Sequence, residues 1–176
     1  MSTITWSPAL ELGDTRMDAT HREFAAAVNA VTDAADADLL ARLDDLIAHT
    51  EEHFGQENRW MEMLPFPPIH CHVGEHDGVI GIMREARQYV AEGKPEVGRV
   101  LANELGPWFE NHARSMDAVL AYVIRETGFD TANPAPVAGT GPLGDRACAP
   151  GTAAGGCDMH EVPREAATTA TTAAVK

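Results

Sequence analysis

The chain has 176 residues, with 13 Lys and Arg against 27 Asp and Glu, a formal net charge of −14 and a pI near 4.8. That length suffices for one domain with a sizeable core. The charge argues against a nucleic-acid backbone or an anionic membrane surface as partner, because either would repel the chain. Cys71, Cys148 and Cys157 form an odd set without a CxxC pair, so neither a disulfide framework nor a four-cysteine zinc site is indicated, and a reducing cytoplasm is the simplest compartment. The amino terminus lacks the basic start and apolar core of a secretory signal. No stretch approaches the roughly 18 apolar residues of a membrane span.

After an entry arm through about Asp14, apolar spacing predicts a first helix over about Thr15 to Ala35. Met17, His21, Phe24, Ala25 and Val28 recur on one face, which turns His21 inward. A second helix over about Ala37 to Leu64 carries Leu39, Leu43, Leu46, Ile47, His53, Trp60 and Met61, and it stops at Pro65-Phe-Pro-Pro68. The third runs from about Pro68 to Ala91, ending near Gly93, and the fourth from about Pro95 to Thr127, closing at Gly128. Gly106-Pro107 lies inside the fourth, where proline removes a backbone donor and crowds the carbonyl of Asn103, so a kink or restart is expected there. After Asp130 the chain is rich in Ala, Thr, Gly and Pro and poor in large apolar side chains, too few to offset the entropy of ordering. Residues 1–130 are therefore expected to form an all-α four-helix bundle, and 131–176 a disordered tail. Cys148, Cys157 and His160 in that tail are irregularly spaced and read as free groups on a flexible segment.

Four pieces of the chain fit a metal site: His21 alone, His53 with Glu57, His72 with His76, and His112 with Asp117. Five imidazoles and two carboxylates are the ligand count for two transition ions rather than one. Residues four apart lie one turn above each other, so His53/Glu57 and His72/His76 can each converge on a point. His112 and Asp117 are five apart, about 140° round an ideal helix, and do not share a stripe. Either the two straddle a dinuclear centre or the helix widens by a one-residue π-bulge, and a distortion between Asn111 and Asp117 is expected. His49 lies one turn before His53 but has no carboxylate at the matching offset, so it reads as a neighbour of the site. His70 and Cys71, beside the proline turn, read as exposed.

His21, His53-Phe-Gly-Gln-Glu57, His72-Val-Gly-Glu-His76 and His112-Ala-Arg-Ser-Met-Asp117 resemble the complete ligand signature of the hemerythrin family, over about Trp6 to Phe129. The resemblance implies an up-down-up-down four-helix bundle. It also implies two iron ions with a bridging oxo or hydroxo group: one ion held by His72, His76 and His112, the other by His21 and His53, with Glu57 and Asp117 bridging. O2 would bind reversibly at the open position beside the two-histidine ion. Asn58 departs from the pattern, since many bacterial members carry a second acid there, and Pro107 interrupts the ligand-bearing fourth helix.

From the donor types alone, zinc, manganese, cobalt or copper would also suit. The chain lacks E-x-x-H, H-E-x-x-H, G-x-S-x-G and a Walker loop, so carboxylate-rich di-iron oxidases and common hydrolases are not indicated. Phe24, Phe54, Trp108, Met116 and Leu120 lie within a turn or two of the histidines and are expected to wall an O2 pocket, although each would also serve as core. The expected function is oxygen storage, delivery or sensing rather than enzymatic turnover. The alternatives are a di-iron redox enzyme handling peroxide or NO, an iron-holding protein, and a signalling module with a redox or signalling partner.

Overall fold

The computed structural model describes residues 4–137. The readings of Cys148, Cys157, His160 and the rest of the tail lie outside the described residues. A short 3-10 turn (Pro8–Leu10) leads into α1 (Thr15–Asp33), α2 (Asp36–Met63) and α3 (Ile69–Ala91). The fourth rod consists of α4 (Pro95–His112), a π turn (Ala113–Asp117) and α5 (Ala118–Thr127). Connections of two, five and three residues cannot carry the chain back along a helix, so successive helices are antiparallel neighbours. Each of α1 to α3 packs on the next, and α1 closes the ring against α4. The architecture is the expected up-down-up-down bundle, and no described helix is long and apolar enough to cross a membrane.

Local chemistry sets the ends of the rods. Asp14 caps α1 by accepting from the backbone N–H groups of Arg16 and Met17, at 3.1 and 2.9 Å. The buried Asp18 accepts from Leu12 and Gly13, which pins the entry arm across the start of α1. Gly93 and Gly128 follow α3 and α5 with φ of +87° and +66°, the left-handed geometry that glycine adopts without strain. The proline turn ends α2 one residue earlier than the sequence suggested, with Pro68 outside α3 rather than first in it. At Pro107 the expectation of a restart is corrected, because α4 continues unbroken from Pro95 to His112. Pro107 is exposed, on the side of a helix where carbonyls tilt toward water.

The bundle also reaches past Asp130. Phe129 and Thr131 are buried, the Thr131 hydroxyl donates to Asp14 Oδ2 at 2.9 Å, and the Val137 N–H donates to the Met63 carbonyl at 3.1 Å. Residues 131–137 thus dock on the helices.

Buried apolar side chains form two clusters. The larger gathers Phe24, Val28, Leu39, Leu43, Leu46, Phe54, Met83, Leu105 and Phe109. The smaller gathers Met17, Trp60, Met61, Leu64, Phe66, Leu120 and Ile124. The helices approach closely at Gly98, where a Cβ would stand 2.9 Å from Val90 Cγ2 and 3.3 Å from Leu39 Cδ2.

Candidate metal centre

Between the two clusters every rod contributes buried polar side chains: His21 from α1, His53 and Glu57 from α2, His72 and His76 from α3, and His112 and Asp117 from the fourth rod. None is more than 3 % exposed. On α1 and α3 regular helical spacing turns the imidazoles inward, and on α2 His53 and Glu57 stack one turn apart. In the fourth rod the expected distortion is present as the π turn over Ala113–Asp117. A π turn closes after five residues rather than four, which returns Asp117 to the face of His112, with Oδ1 3.2 Å from His112 Nε2.

The donor atoms fall into two groups that share a carboxylate. Glu57, His72, His76, His112 and Asp117 place one donor each within 4.8 Å of one another, as do His21, His53 and Glu57. Each carboxylate divides its oxygens between the groups. Glu57 Oε1 lies 3.1 and 3.5 Å from the Nε2 atoms of His53 and His21, while Oε2 lies 3.4 and 3.8 Å from those of His76 and His72. Asp117 Oδ1 lies 3.0 Å from His72 Nε2, and Oδ2 lies 3.3 Å from His21 Nε2.

Such an arrangement is poorly satisfied by protein groups alone. His72 and His76 each bring Nε2 to 3.1 Å from His112 Nε2. Two unprotonated nitrogens at that separation repel, so each contact needs a proton or a cation. His21 Nε2, Glu57 Oε2 and both Asp117 oxygens are buried without an aligned hydrogen bond, and their close approaches are ionic contacts. Donors at right angles about an ion with bonds of about 2.1 Å sit about 3 Å apart, close to the 3.1 Å between His112 Nε2 and each of the other two. The seven side chains therefore form a cluster whose donors fit bound metal better than they fit one another.

Electrostatics follow the same pattern. Burial disfavours charge on His21, but attraction from Asp117 and Glu57 outweighs it and lifts its pKa to about 10. For His112 burial is likewise overcome, chiefly by Asp117, and the pKa is raised. Burial prevails at His76 and lowers it despite Glu57. Burial also opposes ionisation of Glu57 and Asp117, yet the surrounding imidazoles hold both well below the ordinary carboxylate range. Without a metal, protons on these rings would take the place of cations.

The expected pocket walls divide into different contacts. Phe24 lies 6.2 Å from the His53 ring and 4.9 Å from Phe109. Phe54 stacks on His76, and Trp108 stacks on His112 at 4.7 Å. Met116 lines an apolar cavity of about 250 Å³ with Phe66, Pro68, Cys71 and His72. Leu120 packs in the smaller cluster with Met17 and Trp60. His70 and Cys71 are exposed as expected. His49 is half-buried, accepting from or donating to no carboxylate at hydrogen-bond range; its Nε2 lies 3.2 Å from the Thr20 carbonyl and its ring 6.0 Å from that of His53. Sequence reasoning missed Phe109, whose edge meets His21 at 5.2 Å. Its position three before His112 was the available signal.

Fold and centre together define a four-helix bundle built around buried, non-haem metal-binding side chains. The model of the hemerythrin HHE cation binding domain matches residues 12–124, and the chain belongs to the hemerythrin family, a family of di-iron, oxygen-binding proteins. It is 47 % identical to a bacteriohemerythrin of Ralstonia nicotianae over 130 residues, covering 74 % of this chain and 95 % of the relative. Bacteriohemerythrins of Methylococcus capsulatus and Aquifex aeolicus are 26 % and 29 % identical, over 66 % and 63 % of this chain and 93 % and 89 % of their own.

Proposed function

We propose that this chain holds two iron ions and binds O2 reversibly, as a carrier, store or sensor in a reducing cytoplasm rather than as an enzyme. The observation that carries the reading is the division of Glu57 and Asp117 oxygens between a three-histidine and a two-histidine group. In this reading His72, His76 and His112 would hold one ion and His21 and His53 the other, with Glu57 and Asp117 shared between them and an oxo or hydroxo group completing the pair. The iron pair, when bound, supplies the electrons and the open position that O2 binding draws on.

The chain's own residues prepare that position. His21 and His53 give one side of the centre one donor fewer than the other. Phe109 meets His21 edge-on and Phe24 lies 6.2 Å from His53, so these two rings present hydrocarbon to that side of the centre. Two carboxylates among five neutral imidazoles leave the donor set only modestly anionic, which favours the reduced ions and release over irreversible oxidation.

One observation favours a second reading, a redox enzyme acting on peroxide or NO. A cavity of about 260 Å³ between α1 and α2, lined by Arg16, Glu23, His49, Glu52 and Gln56, reaches His53 and is polar enough to admit water and protons. Optical spectra of the anaerobically reduced, metal-quantified protein separate the two readings, taken before O2, after O2, and after its removal. Visible bands that appear and vanish reversibly at two irons per chain are expected. Irreversible oxidation with consumption of peroxide would replace the carrier by the enzyme, and one metal or none per chain would sink both.

A further inference from the structure

His76 is held differently from His21, His53 and His72. Its Nδ1 lies 3.0 Å from Oδ1 of Asn58, and its ring lies flat on Phe54, with centroids 3.8 Å and planes 3° apart. Phe54 and Asn58 are four apart on α2, so one stripe of that helix supplies both contacts to a single ring on α3. By contrast, the outer Nδ1 atoms of His21, His53 and His72 are buried without a hydrogen-bond partner. A ring stacked on one face and bonded at its outer edge can neither tilt nor rotate.

The chemistry of the amide sets the tautomer. With Oδ1 facing the ring, Nδ1 carries the proton and donates it, leaving the Nε2 lone pair directed at the centre, 3.4 Å from Glu57 Oε2 and 3.1 Å from His112 Nε2. The opposite amide orientation would place the proton on Nε2 and spoil that nitrogen as a metal donor. A carboxylate at position 58 would hold the same proton but pull it toward itself, making the imidazole more electron-rich and adding a negative charge beside the two of Glu57 and Asp117.

We propose that Phe54 and Asn58 are positioning residues that fix His76 as a neutral, Nδ1-protonated donor, and that the uncharged amide keeps the centre poised toward its reduced state. The proposal rests on the reading of the cluster as a dinuclear metal centre.

The test compares iron-loaded full-length wild type with Asn58→Asp, Asn58→Leu and Phe54→Leu, reading metal per chain, resistance to a chelator and midpoint potential, with the melting of each stripped protein as a folding control. Asn58→Asp, nearly isosteric and still an acceptor, is expected to keep its metal and to shift the midpoint potential downward, which a purely structural role would not do. Asn58→Leu and Phe54→Leu are expected to lose metal to the chelator about 10- to 100-fold more readily, the usual effect of removing an outer partner of a ligand. Two metals per wild-type chain with an unmoved potential in Asn58→Asp overturns the charge argument, and wild-type chelator resistance in both leucine variants overturns the positioning role. A wild-type chain without metal overturns the centre and this proposal together.

Discussion

Stripping the metal exposes an electrostatic consequence of the centre that can be measured as stability. In the stripped protein His21 holds its proton up to about pH 10, against 6.5 for an ordinary imidazole. At about 1.4 kcal/mol for each pH unit, that rise corresponds to about 5 kcal/mol of preference for the protonated ring in the folded state. Between pH 6.5 and 10 the folded chain binds this proton and the unfolded chain does not, so stability must fall as pH rises. The contribution is complete below 6.5 and gone above about 10. In the loaded protein a cation would stand where the proton does, and the dependence is expected to disappear. Urea unfolding of chelator-stripped and iron-loaded protein at several values across pH 6.5–10 reads both curves. The stripped curve is expected to drop by several kcal/mol relative to the loaded one, and Asp117→Asn, which removes the strongest source of the attraction, is expected to flatten it. A stripped protein equally stable across the range would refute the reasoning.

On the acid side, the depressed Glu57 and Asp117 contribute stability above their ordinary values that is lost only as pH falls through the lower folded values, so the stripped protein should unfold in acid below the usual carboxylate range; circular dichroism checks this. Inserting one alanine after Ser115 turns Asp117 about 100° further round the helix and should reduce metal per chain, whereas deleting Ser115 leaves Asp117 four after His112 and should retain it. Leu120→Ala opens a cavity in the smaller cluster, costing about 2–5 kcal/mol by denaturant titration while leaving metal content unchanged. Gly98→Ala gains up to about 1 kcal/mol of helix propensity but forces Val90 and Leu39 apart at about 1–3 kcal/mol, so a net loss of about 1 kcal/mol is expected in the same assay.

Helix ends were legible because they are chemical events along the chain: the proline turn at 65–68, Gly93 and Gly128. The π turn was legible for a geometric reason, since a five-residue offset between His112 and Asp117 conflicts with a helix of fixed pitch unless the helix widens. What stayed hidden depends on neighbouring rods. Phe109 meets His21 across the bundle, and nothing local says which helix its ring will face. Asn58 read as a departure from a pattern, although its amide lies against His76 on another helix. Leu120 lies three residues past Asp117, and its packing with Met17 and Trp60 is set by α1 and α2, which nothing in its own helix announces. Thr131 and Val137 carry no periodic sign of docking, since a lone hydroxyl that reaches Asp14 and a lone valine that packs on the smaller cluster repeat at no helical spacing.

The buried polar layer between the two apolar clusters also acts as a key for alignment. Four rods with interchangeable leucine, alanine and phenylalanine faces could slide past one another by a turn, about 5.4 Å, and still bury comparable hydrocarbon. Here a slip of any one rod would push an imidazole or a carboxylate into Met17, Trp60 and Leu120 on one side, or into Phe24, Leu46 and Met83 on the other. Burying such a group without a partner is costly, so every misaligned bundle is penalised on every rod at once. The side chains that make up the centre thereby select one vertical alignment of the helices before any cation arrives.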